Sequence, residues 1–351
     1  HLLSRRQRQM CIRDRKNIMK KPSYSIIIRT LGKAGAMYRT TLDCIASQTL
    51  QPEEVLIVIP HGYEPPKETL GYEQIVYSPK GMLSQNITGM KEAKGEWLLL
   101  LDDDMKFSHN FVEELFKTVE RAQADVAIPI VTDIKGQTVL SPKSFGENLA
   151  GFIMGVCFHS NKQSEYLLRC YRTSGFIVQA RPDSKDYLSQ TGAGACRLLR
   201  KEAAQNMHFE EELYLEKEKY PSYEDQVFFY KLYKMGYRIA VNKDVLFLHL
   251  DAMSSRTGEK QLLVAYAHAK EAIIFWHRFI YLPENKLYLR LWSILCIWWR
   301  IQNTLLITGL KSIATPTNFH KLKYYLKAYR DAFVFIKSKE YRSIPRIISC
   351  K

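Results

Sequence analysis

Residues 97–101, Trp-Leu-Leu-Leu-Leu, are the most apolar strand-length run in this chain and pass without a break into Asp102, Asp103 and Asp104. Such a run, with no polar alternation, predicts a strand buried on both faces, as in a parallel sheet covered by helices on both sides. Three carboxylates cannot follow it into the core unpaired, so the chain must reach the surface at the strand's carboxyl end. The preceding residues repeat the pattern. Residues 24–28 and 55–59 are short β-branched apolar runs, and a third strand is predicted at 74–77. Between the first two, Leu42, Ile45 and Ala46 share one face of a helix over 38–48, which Pro52 separates from the next strand. A second helix is predicted over 84–93, ended by Gly95. A β-α-β-α-β order predicts an α/β fold with a right-handed parallel sheet, whose ligand crevice lies beyond the carboxyl ends of the strands.

That rule gathers Arg29, Thr30, Pro60, His61 and the three aspartates into one crevice, although they are far apart in sequence. Adjacent carboxylates at the end of a buried strand repel one another and lose hydration unless a cation lies among them. A hard divalent ion, Mg²⁺ or Mn²⁺, suits carboxylate oxygens and can bridge to a phosphate. The alternative is a solvated acidic turn that caps a helix starting near His109.

A second cluster follows the glycine-rich residues 190–196, which allow close backbone approach to a ligand or form a bulge in a second sheet. Residues 221–225, Pro-Ser-Tyr-Glu-Asp, open a helix with Val227, Phe228, Tyr230, Leu232 and Tyr233 inside and Gly236 at its end. Glu224 and Asp225 are adjacent on it and must point in different directions, so they cannot share one role. Ser222 and Asp225 also have the spacing of a capping box. Two short strands are predicted at 237–241 and 245–249, the second ending on His249. Arg256 lies in a polar loop, either closing over a phosphate or simply solvated.

In combination these segments resemble the family 2 glycosyltransferases of the GT-A fold, over most of residues 23–250. The resemblance rests on residues 25–30, on Ser47-Gln48-Thr49, on residues 52–58, on residues 84–97 and on the acidic turn. It implies a Rossmann-like mixed, mainly parallel sheet flanked by helices, with a C-terminal helical extension. It also implies an inverting, hexosyltransferase-like enzyme that moves a sugar from a nucleotide diphosphate to an acceptor hydroxyl with a divalent cation, Mn²⁺ or Mg²⁺. By position, Asp104 matches the family's direct metal ligand and Asp102 its ribose contact, with Asp103 beside them. Asp225 matches the catalytic base of the family's Glu-Asp pair, with Glu224 next to it. Several GT-A enzymes use a histidine at the place of His249 as a further metal ligand. Arg29, Thr30, His61, Asn86 and Arg256 complete the expected nucleotide-sugar set. Two departures stand out: His61 follows the second strand where many members carry an acid, and Gln85 precedes Asn86 where they carry an arginine. UDP is the family default for the donor, and a glycan or lipid-linked acceptor in surface polysaccharide or glycolipid synthesis the family default for the pathway.

Charge and composition frame these expectations. The 351 residues carry a formal net charge of +15, which admits nucleic acid, an anionic membrane surface or a phosphorylated substrate as partners. Six basic residues and one acid among the first eighteen supply five of those charges. Residues 1–18 are read as a non-native or disordered leader, with a native start near Met19; a basic arm that touches membrane or nucleic acid is the other reading. Seven cysteines without a C-x-x-C pair suit a reducing cytoplasm, with Cys44 and Cys196 as small buried residues. The expected domains are a GT-A domain over 19–258 and a helical, aromatic and basic region over 259–351. Within the latter, 291–299 is apolar on nearly every side but too short to span a bilayer. Peripheral contact with the inner face of the cytoplasmic membrane, helix packing and homodimerisation stay open. No nucleic-acid partner is expected. Two readings from other classes are a sugar nucleotidyltransferase, disfavoured by the lack of a basic glycine-rich triphosphate loop, and a non-catalytic nucleic-acid- or membrane-binding protein.

Overall fold

The structure is a computed structural model and describes residues 22–132, 136, 138, 168–170, 174–175, 177–179, 186–250, 258–315 and 318–347. The basic leader and Arg256 lie outside these residues. The apolar runs form the expected strands: β1 (Tyr24–Arg29), β2 (Glu54–Pro60), β3 (Gln74–Ser78) and β4 (Trp97–Asp102). Helices α1 (Ala36–Ala46) and α2 (Met82–Glu92) connect them. Helix α2 stops at Glu92, before Gly95, whose lack of a side chain instead admits the backbone of Tyr24 and Ser25. Beyond β4 come β5 (Met105–Phe107), α3 (Phe111–Ala122), β6 (Val126–Thr132) and a hairpin of β7 (Leu168–Cys170) and β8 (Ile177–Gln179). Then follow β9 (Asp186–Leu188), β10 (Cys196–Arg200), α4 (Lys201–Asn206), α5 (Glu224–Lys234) and β11 (Ile239–His249).

The main sheet runs β3-β2-β1-β4-β10-β6-β11-β5, with β9 also on β11. β1 to β4 are parallel where they pair, whereas β10 lies antiparallel to both β4 and β6, so the sheet is mixed and mainly parallel. Alternation along β1 and β4 sends Ile27, Leu98 and Leu100 to one face, against α2 and α5. The other face receives Ile26, Ile28, Leu99 and Leu101 and is covered by α1 and α3. This is the GT-A arrangement, two helical layers on one sheet.

Three expectations are corrected. Residues 237–241 and 245–249 are not two strands but the single β11, with a register shift between Val241 and Leu246. Buried Asn242 causes the bulge: its amide binds Thr118 and its carbonyl takes the Asp244 N–H. The glycines of 190–196 do not bulge a second sheet; they lead into β10 of the main one. Cys196 is buried as expected, but Cys44 is only half-buried, at the edge of the core beside β5, where its Sγ accepts the Phe107 N–H.

The C-terminal region is helical: α6 (Gly258–Phe275), a π-helical turn at Trp276–Tyr281, α7 (Leu287–Ala314), α8 (Asn318–Lys337) and α9 (Lys339–Ser343). It shares the core on the α5 face, through Ile273, Phe275 and Phe279. Among the described residues no helix is long and apolar enough to cross a membrane.

Candidate active site

The acidic turn leaves β4 at its carboxyl end and does not cap a helix. It turns into β5, and α3 starts later, at Phe111, without a side-chain cap. Backbone bonds fix it: Asp102 N–H donates to the Ala195 carbonyl at 3.0 Å, and Leu250 N–H to the Asp104 carbonyl at 2.9 Å. β5 pairs antiparallel with the end of β11 and sets His249 opposite Met105. His249 Nε2 therefore lies 3.0 Å from Asp104 Oδ1 and 4.0 Å from Asp102 Oδ2. Burial lowers the His249 pKa, but the hydrogen bond and charge of Asp104, followed by the charge of Asp102, outweigh it and leave the pKa raised.

One ligand atom from each of Asp102, Asp104 and His249 can be chosen so that all lie within 4.8 Å of one another. Two carboxylates and an imidazole at that spacing fit a single divalent ion, the imidazole favouring a first-row ion such as Mn²⁺ over Mg²⁺. Asp103 points elsewhere and accepts a hydrogen bond from Thr30 Oγ1. Burial and then, against that hydrogen bond, the charges of Asp102 and Asp104 raise its pKa to about 6.

Parallel pairing sets Arg29 beside Asp102, and its Nε donates to Asp102 Oδ1 at 2.6 Å. Its Nη1 lies 3.7 Å from Glu224 Oε2. One guanidinium thus joins the acidic turn to the start of α5. Glu224 is 2% exposed and is further held by Arg197 Nη2 at 2.9 Å and by Asn86 Nδ2 at 3.3 Å. Burial raises the Glu224 pKa, yet Arg197 and Arg29 overcome this and hold it well below the usual carboxylate range.

Asp225, one residue on, points away as helix geometry requires, and its side chain keeps 42% of its exposure. Desolvation and the neighbouring Glu224 charge raise its pKa. With so much of the side chain reached by solvent, the Glu224 charge is the cause that survives hydration. The capping box is absent: the helix starts after Tyr223 without a side-chain cap, and the N–H groups of Ser222 and Tyr223 both donate to Glu271 Oε2 at 2.8 Å. A distant carboxylate has taken the place of a local one.

Of the remaining expected residues, Thr30 is buried at the end of β1. Asn86 is buried on α2 and faces Glu224. His61 is exposed and stacks on Tyr77, with ring centroids 5.8 Å apart. Arg197 and Gly194 were not foreseen. Arg197 is fully buried in β10, its guanidinium 3.9 Å from the Phe228 ring centroid. A Cβ on Gly194 would lie 1.6 Å from Asp225 Oδ1, so only glycine leaves that carboxylate its place. An arginine in the otherwise apolar Cys-Arg-Leu-Leu-Arg strand was the available signal for the first.

A GT-A fold whose strand ends bring together Asp102, Asp104 and His249, which could hold a divalent ion, with a carboxylate opposite, is an arrangement suited to a nucleotide-sugar substrate. Residues 74–207 match the model of the family described as Glycosyl transferase family 2, so this part of the chain is similar to glycosyltransferases of that family. The match covers the acidic turn, Gly194 and Arg197. Arg29, Asp225 and His249 lie outside it and join the site through the contacts above. No curated protein matches the chain. Members of that family in general use a nucleotide-sugar donor, an acceptor and a divalent cation.

Proposed function

We propose that this chain is a metal-dependent, inverting glycosyltransferase. The acceptor hydroxyl oxygen attacks the anomeric carbon of the donor, its proton passes to Asp225, and the bond from that carbon to the diphosphate oxygen breaks on the opposite side. Asp102, Asp104 and His249 would hold the cation, which neutralises charge on the departing diphosphate. Among the described residues, Asp102, Asp103, Asp104, Glu224 and Asp225 gather around the guanidiniums of Arg29 and Arg197 and the imidazole of His249, a concentration of carboxyls that suits an added cation.

The reading is carried by Arg29, which contacts both Asp102 and Glu224 and so sets the base-bearing helix against the diphosphate side. A base operates best with a pKa nearer neutrality than an ordinary aspartate's, and Glu224 supplies that shift from the adjacent position. His61, stacked on Tyr77 where β2 and β3 end, and Arg256 are assigned to the nucleotide, with UDP as the expected nucleotide and a hexose as the sugar. The acceptor is a glycan or lipid-linked hydroxyl of surface polysaccharide or glycolipid synthesis, reached from a peripheral position on the inner face of the cytoplasmic membrane.

The test is a panel of nucleotide sugars scored by thermal shift with and without Mn²⁺, followed by transfer assays on Asp104→Asn and Asp225→Asn. A donor that stabilises the protein only with metal is expected, and each substitution should lower kcat by about 10³-fold or more. Near-normal transfer by both variants would overturn the assignment.

A further inference from the structure

Helix α7 buries a mixed face, on which Cys296 and Ile297 lie beside polar side chains, and exposes an apolar one. Its polar residues Ser293, Arg300, Asn303 and Thr308 are buried against the protein. Arg300 is tied there by Nη1 to the Ser174 carbonyl at 3.3 Å and by Nη2 to the Tyr223 hydroxyl at 3.0 Å. The opposite face carries Leu291, Trp292, Leu295, Trp298, Leu306 and Leu310, between 46% and 60% exposed. Positions 291, 295, 298, 306 and 310 fall within about 120° of arc around a 3.6-residue helix, so they form one stripe roughly 29 Å long at 1.5 Å per residue. A soluble surface helix carries polar residues on its outward face. A contiguous exposed apolar patch of this size marks an interaction surface.

We propose that this stripe lies in the plane of an anionic lipid leaflet and docks the enzyme there through α7. The choice of occupant rests on charge. Lys286 and Lys311 on α7 and its flank, and Lys323, Lys327, Arg330 and Lys337 on α8, are exposed, and residues 286–337 contain a single acid, Asp331. A second copy brought face to face would set this basic rim against itself, since a two-fold interface presents the same patch from both sides. A leaflet rich in anionic headgroups complements the basic rim while its acyl region takes the leucines, and Trp292 and Trp298 suit the boundary between the two. The helix lies flat and does not insert across, because no described helix meets the requirement for crossing.

The surface does not depend on the transferase reading, and the test keeps the two apart. The full chain is sedimented with vesicles of phosphatidylcholine alone and of phosphatidylcholine mixed with phosphatidylglycerol. Binding to the mixed vesicles, weakened by salt, is expected. A Leu291→Glu/Leu295→Glu variant should lose about tenfold or more in bound fraction with an unchanged thermal midpoint, because both sites are exposed. Brominated lipid should quench tryptophan emission in the wild type, and a Trp292→Phe/Trp298→Phe variant should lose that quenching. The Asp104→Asn chain should bind like the wild type even with transfer abolished. Wild-type protein left in the supernatant, equal binding by the glutamate variant, or a concentration-dependent dimer that the glutamate variant abolishes would each overturn the proposal, the last in favour of a second copy.

Discussion

Arg197 has no access to water and lies between the Phe228 ring and two carboxylates, Glu224 at 2.9 Å and Asp225 at 3.7 Å. Removing one partner of a buried ion pair leaves the other charged and unpaired, which costs about 3–5 kcal/mol. Arg197→Met leaves Glu224 with Arg29 and Asn86, so it should lower stability towards the lower end of that range in urea unfolding, and the Glu224 pKa should rise because its nearest counter-charge is gone. Gly194→Ala tests a different property. Its methyl group would displace the Asp225 carboxylate without touching the core, so we expect a loss of about 10²-fold in kcat with a near-normal melting curve. Unchanged kcat would show that Asp225 need not sit where it does. At this scale the sequence revealed Asp102, Asp104 and Asp225 through the family pattern, and His249 as a strand end. It could not reveal that Glu224 turns inward to two arginines, because that depends on β10 running antiparallel beside β4, a pairing over nearly a hundred residues of separation.

Between elements, the contact with the clearest pH signature is Glu271 of α6, whose Oε2 takes both N–H groups ahead of α5 while Oε1 is buried without a partner. Burial raises its pKa from 4.5 to about 8. The native protein then holds a proton that the unfolded chain has released between those two values. Stability from this group is full below pH 4.5 and is lost as pH rises through about 8. Glu271→Gln resembles the protonated form, so it should match the wild type near pH 5 and exceed it on the order of 3 kcal/mol near pH 9. Urea unfolding at the two pH values checks this, and a pH-independent difference would refute it. The same contact explains why the capping-box alternative does not form: Ser222 and Asp225 have the right spacing, but the backbone donors before the helix already have a partner from α6. In β11, likewise, the polar Asn-Lys-Asp interruption suggested two strands. The side chain of Asn242 absorbs it as a bulge, an outcome that depends on Thr118 of α3.

Over the whole molecule, the C-terminal helices are bound to the sheet layers by a buried ionic cluster as well as by shared apolar packing. Glu212 is fully buried and receives Arg278 Nη2 at 2.8 Å from the π-helical turn and Lys231 Nζ at 2.9 Å from α5. Burial raises the Glu212 pKa, and Arg278 with Lys231 more than offsets this, so its pKa is lowered and the carboxylate stays charged. The change from alternating α/β to continuous helix after residue 258 was legible in the sequence. The sharing of one core was not, because the joining residues, Glu212 and Arg278, are charged and read as surface. Shared burial of this kind predicts that the C-terminal helices and the sheet unfold together. In a Trp97→Phe background, where the remaining tryptophans lie in the C-terminal helices, tryptophan emission and far-ultraviolet circular dichroism from the whole chain should give coincident thermal transitions. Arg278→Met leaves Glu212 with Lys231 and Arg278's other contacts unmade, and should cost about 3 kcal/mol. If the cluster is what couples the two parts, that variant should also separate the two transitions, with the tryptophan signal melting first. Coincident curves in the variant would assign the coupling to the apolar contacts of Phe275 and Phe279 alone.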